Sequence, residues 1–207
     1  MFPPAPTPLP SSPSLNIAAL ARLFSDTTNS YKYLFFLSLL DILRRHQFQI
    51  DAPVPLQDLI IEMLANAWFP HTYFKLSFGR QDKIAQQLDA LALVVEDPII
   101  QFKDPDKTLL RQAIATQDLK ATITHLRRYV PFRLIIPFLE ADLGAVSRGK
   151  GNQLDVAMPA IAHRHFDSRR PLYHFDGTEC KTCQRILPHP DWLRYLQQQD
   201  PTEQSPH

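Results

Sequence analysis

The sequence predicts a mainly α protein, a helical bundle with a small C-terminal β-hairpin. Apolar residues recur three and four positions apart in several stretches between residues 17 and 166, which is the spacing of one helix face. Prolines, glycines and short polar runs separate these stretches and are suited to end or cap helices. The runs 172–175 and 184–187 instead resemble two short strands around a turn.

The first two helices are separated by the polar run 26–29, which breaks one helix and offers caps for the next. The first follows Ile17, Leu20 and Phe24. The second, Tyr31–Arg45, is apolar nearly all round. A helix of that kind belongs at the centre of a bundle.

The third helix has the clearest signature in the chain. Pro55 suits its first turn, an apolar stripe runs from Leu56 to Ala67, and Pro70 is expected to stop it. Weaker stripes predict further helices near residues 84–91, 104–114, 119–126, 153–166 and 190–196.

Composition divides the chain into four parts. Six prolines among the first fourteen residues rule out regular structure there, and the residues after 198 are polar. We therefore expect a disordered proline-rich tail (1–14), a helical domain (15–170), a hairpin with a short helix (171–198) and a disordered tail (199–207).

The charge of the chain is balanced overall but not locally. The net charge is +1, so no global field selects a partner, whereas residues 120–170 carry nine Lys/Arg against four Asp/Glu. A basic segment of this kind is either a footprint for phosphates or a solvated helix face.

Three features favour a cytoplasmic location without a membrane partner. The N-terminus lacks basic residues ahead of an apolar stretch, so no secretory signal is visible. The most apolar stretch, residues 31–43, is interrupted by Lys32 and Asp41 and is too short to span a membrane. Two cysteines three positions apart cannot staple a fold, which indicates a reducing compartment.

Cys180, Cys183, His174 and His189 form the one constellation with metal-site chemistry. Two thiolates at CxxC spacing on a hairpin, flanked by imidazoles, can give zinc a tetrahedral shell, as in a zinc knuckle. The alternative is an ordinary turn with two free thiols, since a single CxxC lacks the second pair of a recognised site. No cofactor other than this zinc is expected.

Two basic and aromatic clusters are candidates for phosphate contact. One precedes a helix start in the run 73–82, and the other surrounds Tyr129. Loop aromatics that fill the core and a solvated helix end are the alternative interpretations. With the flexible basic loop 147–151, the predicted nucleic-acid-binding side chains are Lys75, Arg80, Arg127, Arg128, Arg133, Arg148 and Lys150.

Long aromatic-rich motifs follow one another along the chain. They are Asp26–Tyr33, Glu62–Phe69, Tyr73–Asp82, Tyr129–Arg133, Pro171–Tyr173 and Pro190–Leu196. In order and spacing they resemble the N-terminal helical region of bacterial HNH endonuclease-domain proteins, over residues 20–198.

The resemblance implies a role next to a nuclease rather than as one. Family members carry their nuclease module, with a general-base histidine and metal ligands on a ββα hairpin, beyond the region matched here. No Asp-His or His-His pair is followed by Asn and His at suitable spacing, so the resemblance transfers no catalytic residue. It implies a truncated or split form that positions the nuclease on nucleic acid, with DNA as the first candidate.

Two other functions remain open. The chain can be a helical adaptor that binds a separately encoded nuclease chain through an apolar surface. It can also be an atypical metal-dependent nuclease built from His163, His165 and the region of Cys180.

Overall fold

The structure, a computed structural model, describes residues 9–23, 30–72, 74–75, 84–91, 104–128, 130–144 and 151–201. The first six helices are α1 (Ile17–Arg22), α2 (Tyr31–Arg45), α3 (Leu56–Thr72), α4 (Ile84–Leu91), α5 (Asp104–Ala115) and α6 (Lys120–Arg127). The others are α7 (Val130–Leu134), α8 (Ile136–Leu139), α9 (Gly151–Arg164), α10 (Phe166–Arg169) and α11 (Pro190–Gln199). The strands are β1 (Val54–Pro55), β2 (Tyr173–Phe175) and β3 (Arg185–Pro188). The predicted mainly α fold with a small C-terminal hairpin is therefore confirmed.

Helix α3 is the centre of the bundle, where it packs against α2, α4, α5, α6 and β1. Ten of its seventeen residues are buried. The prediction that α2 holds this place is wrong. Tyr33 and Leu37, four positions apart on one face of α2, are 36% and 41% exposed because α2 lies at the edge and buries only its other face.

Pro70 does not end α3 as predicted, since the helix runs on to Thr72. A proline removes the hydrogen bond to the carbonyl four residues earlier, here that of Asn66. In the last turn this loss leaves the rest of the ladder intact. The side chain of Asn66 makes a separate contact, in which its Nδ2 donates to Asp41 Oδ2 of α2 at 2.9 Å.

The hairpin belongs to a three-stranded antiparallel sheet with β3 in the middle. On one side Phe175 of β2 lies opposite Ile186, and on the other side Val54 of β1 lies opposite the same residue. Strand β1 leads directly into α3, and the amide of Leu56 donates to the Gln184 carbonyl at 2.8 Å. The hairpin is thus joined to the start of the central helix. The sequence did not reveal β1, because two residues ending in a proline give no strand pattern.

The inner face of the hairpin completes the bundle core. Tyr173 is fully buried, and its hydroxyl donates to the Pro131 carbonyl at 2.6 Å. Burial raises the pKa of Tyr173 well above its usual value, so the phenol stays a donor. Phe175 stacks on Phe132 of α7 with ring centroids 4.9 Å apart. Helix α7 is therefore held against the sheet by aromatic packing.

The stretch 9–16 lies beside the C-terminal helix. The Tyr195 hydroxyl donates to the Pro10 carbonyl at 2.7 Å, and Arg170 Nη1 donates to the Ser14 carbonyl at 3.1 Å. Asn16 Oδ1 accepts from the Ala19 amide at 3.0 Å and caps α1. Part of the proline-rich segment thus contacts α11.

A charged cluster ties α3 to its neighbours. The Glu62 side chain is completely buried and lies 2.6 Å from Arg45 Nη1 of α2. Two cations of α5 also reach it, Lys107 Nζ at 2.9 Å and Arg111 Nη1 at 3.1 Å. A buried carboxylate is tolerated only when such partners compensate its lost hydration.

Replacing this carboxylate is expected to destabilise the fold strongly. Glu62→Gln keeps the shape but leaves three cations around a neutral amide, so the free energy of unfolding in a urea titration should fall by about 3 kcal/mol. Glu140→Gln is the matched control, because the Arg22–Glu140 pair is half exposed. Its effect should stay below about 1 kcal/mol. Equal effects of the two variants would contradict a structural role for Glu62.

Candidate nucleic-acid interface

Arg128 lies between two clefts on the surface. It follows the last residue of α6, and its side chain is exposed. The larger cleft, of about 590 Å³, lies between this helix end, α9 and the turn of the hairpin. Its walls are Arg128, Asp155, Val156, Thr178, Glu179, Cys180 and Lys181. Two cations, Arg128 and Lys181, therefore border one largely open cavity.

The second cleft, of about 550 Å³, runs along α6 itself. It is lined by Asp118, Lys120, Ala121, Thr124, His125 and Arg128. Residues 120, 124 and 128 are four positions apart, so they share one helix face. Arg128 belongs to both clefts, and with Lys120 and Lys181 it defines the α6–hairpin surface.

The two segments of this surface are held together by Arg127. Its Nη1 donates to the side-chain oxygen of Gln184 at 2.7 Å, which joins the end of α6 to the base of the hairpin turn. The turn itself is closed by the Asp176 carboxylate, which accepts from the Gln184 amide at 3.0 Å. The predicted phosphate ligand Arg127 is therefore half-buried and engaged with the protein.

Arg133 is also engaged with the protein. Its Nε and Nη2 donate to the two oxygens of Asp155, each at 2.8 Å. Asp155 is 5% exposed, and the two-pronged pair fixes α9 to α7. Asp155 also lines the larger cleft, where its charge is neutralised by Arg133.

Of the remaining predicted basic residues, the structure describes Lys75 alone. Lys75 is exposed just after α3 and has a left-handed backbone, with φ of 50°. Arg80, Arg148 and Lys150 lie outside the described residues. Sequence reasoning overlooked Lys120 and Lys181. The spacing of residues 120, 124 and 128 could have indicated that Lys120 and Arg128 share a helix face. Lys181 lies near Arg128 only because the hairpin turn folds against the end of α6.

The predicted zinc knuckle is not supported. Among the described residues no group of three or more His, Cys, Asp or Glu side chains is placed to hold a metal ion. Cys183 is fully buried, and its thiol donates to the Glu179 carbonyl at 3.1 Å. Burial raises the pKa of Cys183 to about 11 and also raises that of Cys180. Burial therefore favours the protonated form of both thiols, which is consistent with the ordinary turn that was the alternative interpretation.

Nδ1 of each predicted histidine ligand is hydrogen-bonded within the protein. His174 Nδ1 lies 2.8 Å from the Phe175 carbonyl, so this nitrogen carries the proton and donates. His189 Nδ1 accepts from the Asp191 amide at 3.1 Å and caps α11. Both imidazoles pack against the ring of Phe166, with centroids 4.3 and 4.6 Å away. Aromatic packing and capping thus explain why these histidines lie close to the hairpin.

The residues proposed for an atypical nuclease do not converge either. His163 packs against His174, with ring centroids 5.4 Å apart. His165 instead faces Asp142, whose carboxylate is held by Arg169 at 2.7 Å. Hydrogen bonding to Arg169 lowers the pKa of Asp142, which favours the ionised carboxylate of this ion pair.

Comparison of the chain with models of known protein families, with curated protein sequences and with solved structures finds no significant match. The resemblance to HNH endonuclease-domain proteins accordingly stays a prediction. None of the helices described is both long and apolar enough to cross a membrane.

Histidine burial predicts a loss of stability in mild acid. Burial lowers the pKa of His189 below its ordinary value of 6.5, although Asp191 opposes the shift, and burial also lowers the pKa of His174. The unfolded chain then binds protons before the folded chain does. The free energy of unfolding should therefore be highest above pH 6.5 and fall as the pH drops below that value.

His189→Asn isolates the contribution of the cap, because asparagine caps a helix without titrating. Urea titrations from about pH 7 to pH 5 should show a shallower loss of stability in this variant than in the unchanged protein. A steep loss that persists in His189→Asn would assign the effect to other groups.

Proposed function

We propose that this chain is a non-catalytic nucleic-acid-binding domain, and that the α6–hairpin surface contacts the sugar–phosphate backbone. The observation that carries the proposal is the position of Arg128, which lines two adjacent clefts together with Lys120 and Lys181. A row of exposed cations beside concave surface suits a chain of phosphates, because each neutralised phosphate releases bound counterions.

Most carboxylates of the basic segment are paired within the protein. Asp155 is paired with Arg133, Asp142 with Arg169, and Glu140 with Arg22. These pairs neutralise three of the four carboxylates in the basic segment 120–170. Of these three, only Asp155 lines a cleft of the α6–hairpin surface, where Asp118 and Glu179 are the other carboxylates. Its pairing with Arg133 reduces its repulsion of a bound polyanion.

The larger cleft also has an apolar wall that suits part of a nucleotide. Val156 is 62% exposed and lines this cleft together with Thr178. Glu179 on the same rim repels phosphate, so we place the backbone on the Arg128 side of the cleft. The proposal includes a cytoplasmic location, with which the two free thiols are compatible.

The function we assign is positioning, as the resemblance to the N-terminal region of HNH endonucleases implies. DNA is the first candidate ligand. Nothing in this assignment gives the chain a catalytic residue, and any cleavage belongs to a separate nuclease module.

An adaptor function is the second candidate, and one observation favours it. Tyr33 and Leu37 form an exposed apolar pair on the outer face of α2. Such a pair is suited to contact a partner chain, for example a separately encoded nuclease. Binding at this place would be insensitive to salt, in contrast to phosphate contact.

Charge reversal at Arg128 tests the nucleic-acid proposal. Arg128→Glu should weaken binding of a fluorescent DNA duplex in an anisotropy titration by at least about tenfold at low salt, because it replaces a phosphate contact with a repulsion. The slope of log K against log salt should also become shallower by about 1.

Arg164→Glu is the matched control for this experiment. Arg164 is exposed at the end of α9 in the same basic segment but lines neither cleft. Its reversal changes the net charge equally and should alter the affinity much less. Equal losses in both variants would mean that net charge alone attracts DNA. No DNA binding by the unchanged protein at low salt would exclude the proposal and favour the adaptor.

A further inference from the structure

A second charged cavity lies elsewhere, between α2, α3 and α5. Its volume is about 250 Å³, and the buried Glu62 forms part of its wall. Arg45 and Arg111 lie on either side of that carboxylate, and His46 and Gln112 stand beside them. We call this space the two-arginine cavity. None of the described residues lines both this cavity and the α6–hairpin surface.

Glu62 orients the two guanidinium groups but does not use all their donors. Arg45 reaches Glu62 through Nη1 alone, and the described residues offer no partner for its Nε and Nη2. Arg111 also reaches Glu62 through Nη1, while its Nη2 donates to Thr108 Oγ1 at 2.8 Å. N–H groups of both arginines thus remain available for a ligand in the cavity, and the bonds to Glu62 fix the positions of the two guanidinium groups.

The wall of the cavity balances Arg45 and Arg111 against Glu62 and Asp58, and the cations are concentrated around Glu62. Three cations contact the single carboxylate of Glu62. One of them, Lys107, is shared with Asp41 at 2.6 Å. Neither Arg45 nor Arg111 has a carboxylate partner other than Glu62 within ion-pair distance among the described residues.

The geometry points to a binding site for a phosphate group in the two-arginine cavity, held by Arg45 and Arg111. Two oriented guanidinium groups match the oxygens of phosphate in geometry and in charge. Glu62 does not contact the ligand in this arrangement and acts as a positioning residue. Gln112 and His46 offer further hydrogen-bond donors at the wall.

Asp58 is the group that opposes this site. It lines the cavity, and its carboxylate repels an anion. Burial raises the pKa of Asp58, although Arg45 lowers it. Removing the charge at this position is therefore expected to strengthen phosphate binding, which gives the proposal a variant that gains affinity.

The first experiment titrates the full chain with inorganic phosphate by calorimetry at constant ionic strength. Gln112→Glu places a carboxylate in the cavity without disturbing the contacts of Glu62, and it should weaken binding by about tenfold or more. Gln117→Glu, an exposed control outside the cavity, should bind as the unchanged protein does. Asp58→Asn should bind more tightly. Urea titrations establish that each variant is folded.

Two outcomes would overturn the site. One is the absence of phosphate binding by the unchanged protein, and the other is equal weakening in Gln112→Glu and Gln117→Glu. Either result leaves the DNA proposal standing, because that proposal depends on Arg128. Conversely, phosphate binding that survives Arg128→Glu supports the site even where DNA binding fails.

A second pair of ligands identifies the source of the phosphate. Oligonucleotides with and without a 5′-phosphate are compared on Gln112→Glu and the unchanged protein. A preference for the phosphorylated end that disappears in Gln112→Glu assigns the cavity to a nucleic-acid terminus. Equal binding of both oligonucleotides, together with binding of inorganic phosphate, assigns it to a free phosphate or a small phosphate ester.

Discussion

The burial of Glu62 is the constraint on which the arrangement of the first helices depends. A carboxylate with no exposed surface in the middle of the central helix must be surrounded by cations, and these come from α2 and α5. The cluster therefore fixes how the two neighbours lie against α3. The same contacts hold Arg45 and Arg111 at the wall of the two-arginine cavity, so one interaction links packing to the proposed phosphate site.

The hairpin has a comparable role at the other candidate site. Strand β1 joins it to the start of α3, and Tyr173 and Phe175 extend into the core. The base of the hairpin turn is joined to the end of α6 by Arg127 and Gln184. Because both sides are fixed, Lys181 and Arg128 border one cleft although 52 residues separate them in the sequence. The α6–hairpin surface is thus a product of tertiary structure.

The sequence allowed the longer helices and both hairpin strands to be predicted, because their apolar spacing is a local property, but it did not reveal the four- and five-residue helices α7, α8 and α10. It did not reveal that Glu62 is buried, since a glutamate in a helix is expected to be exposed to solvent unless cationic partners are known. Cys180 and Cys183 illustrate the opposite error. Their spacing suggested zinc, but the folded turn buries Cys183 as a protonated thiol and the histidines cap or pack elsewhere. Of the predicted basic residues, Arg128 lines both clefts. Arg133 instead pairs with Asp155, 22 positions away in the sequence, and the sequence alone did not show this pairing.

The central claim is that nucleic acid lies along α6 and the hairpin turn, and a photo-crosslinking map of the bound strand tests it most directly. A DNA duplex carrying photoreactive bases would be crosslinked to the full chain at low salt, and the attached peptides identified by mass spectrometry. The account predicts crosslinks in residues 118–128 and 178–181, which line the two clefts. Crosslinks confined to α2 near Tyr33 and Leu37, or scattered evenly over the chain, would contradict it.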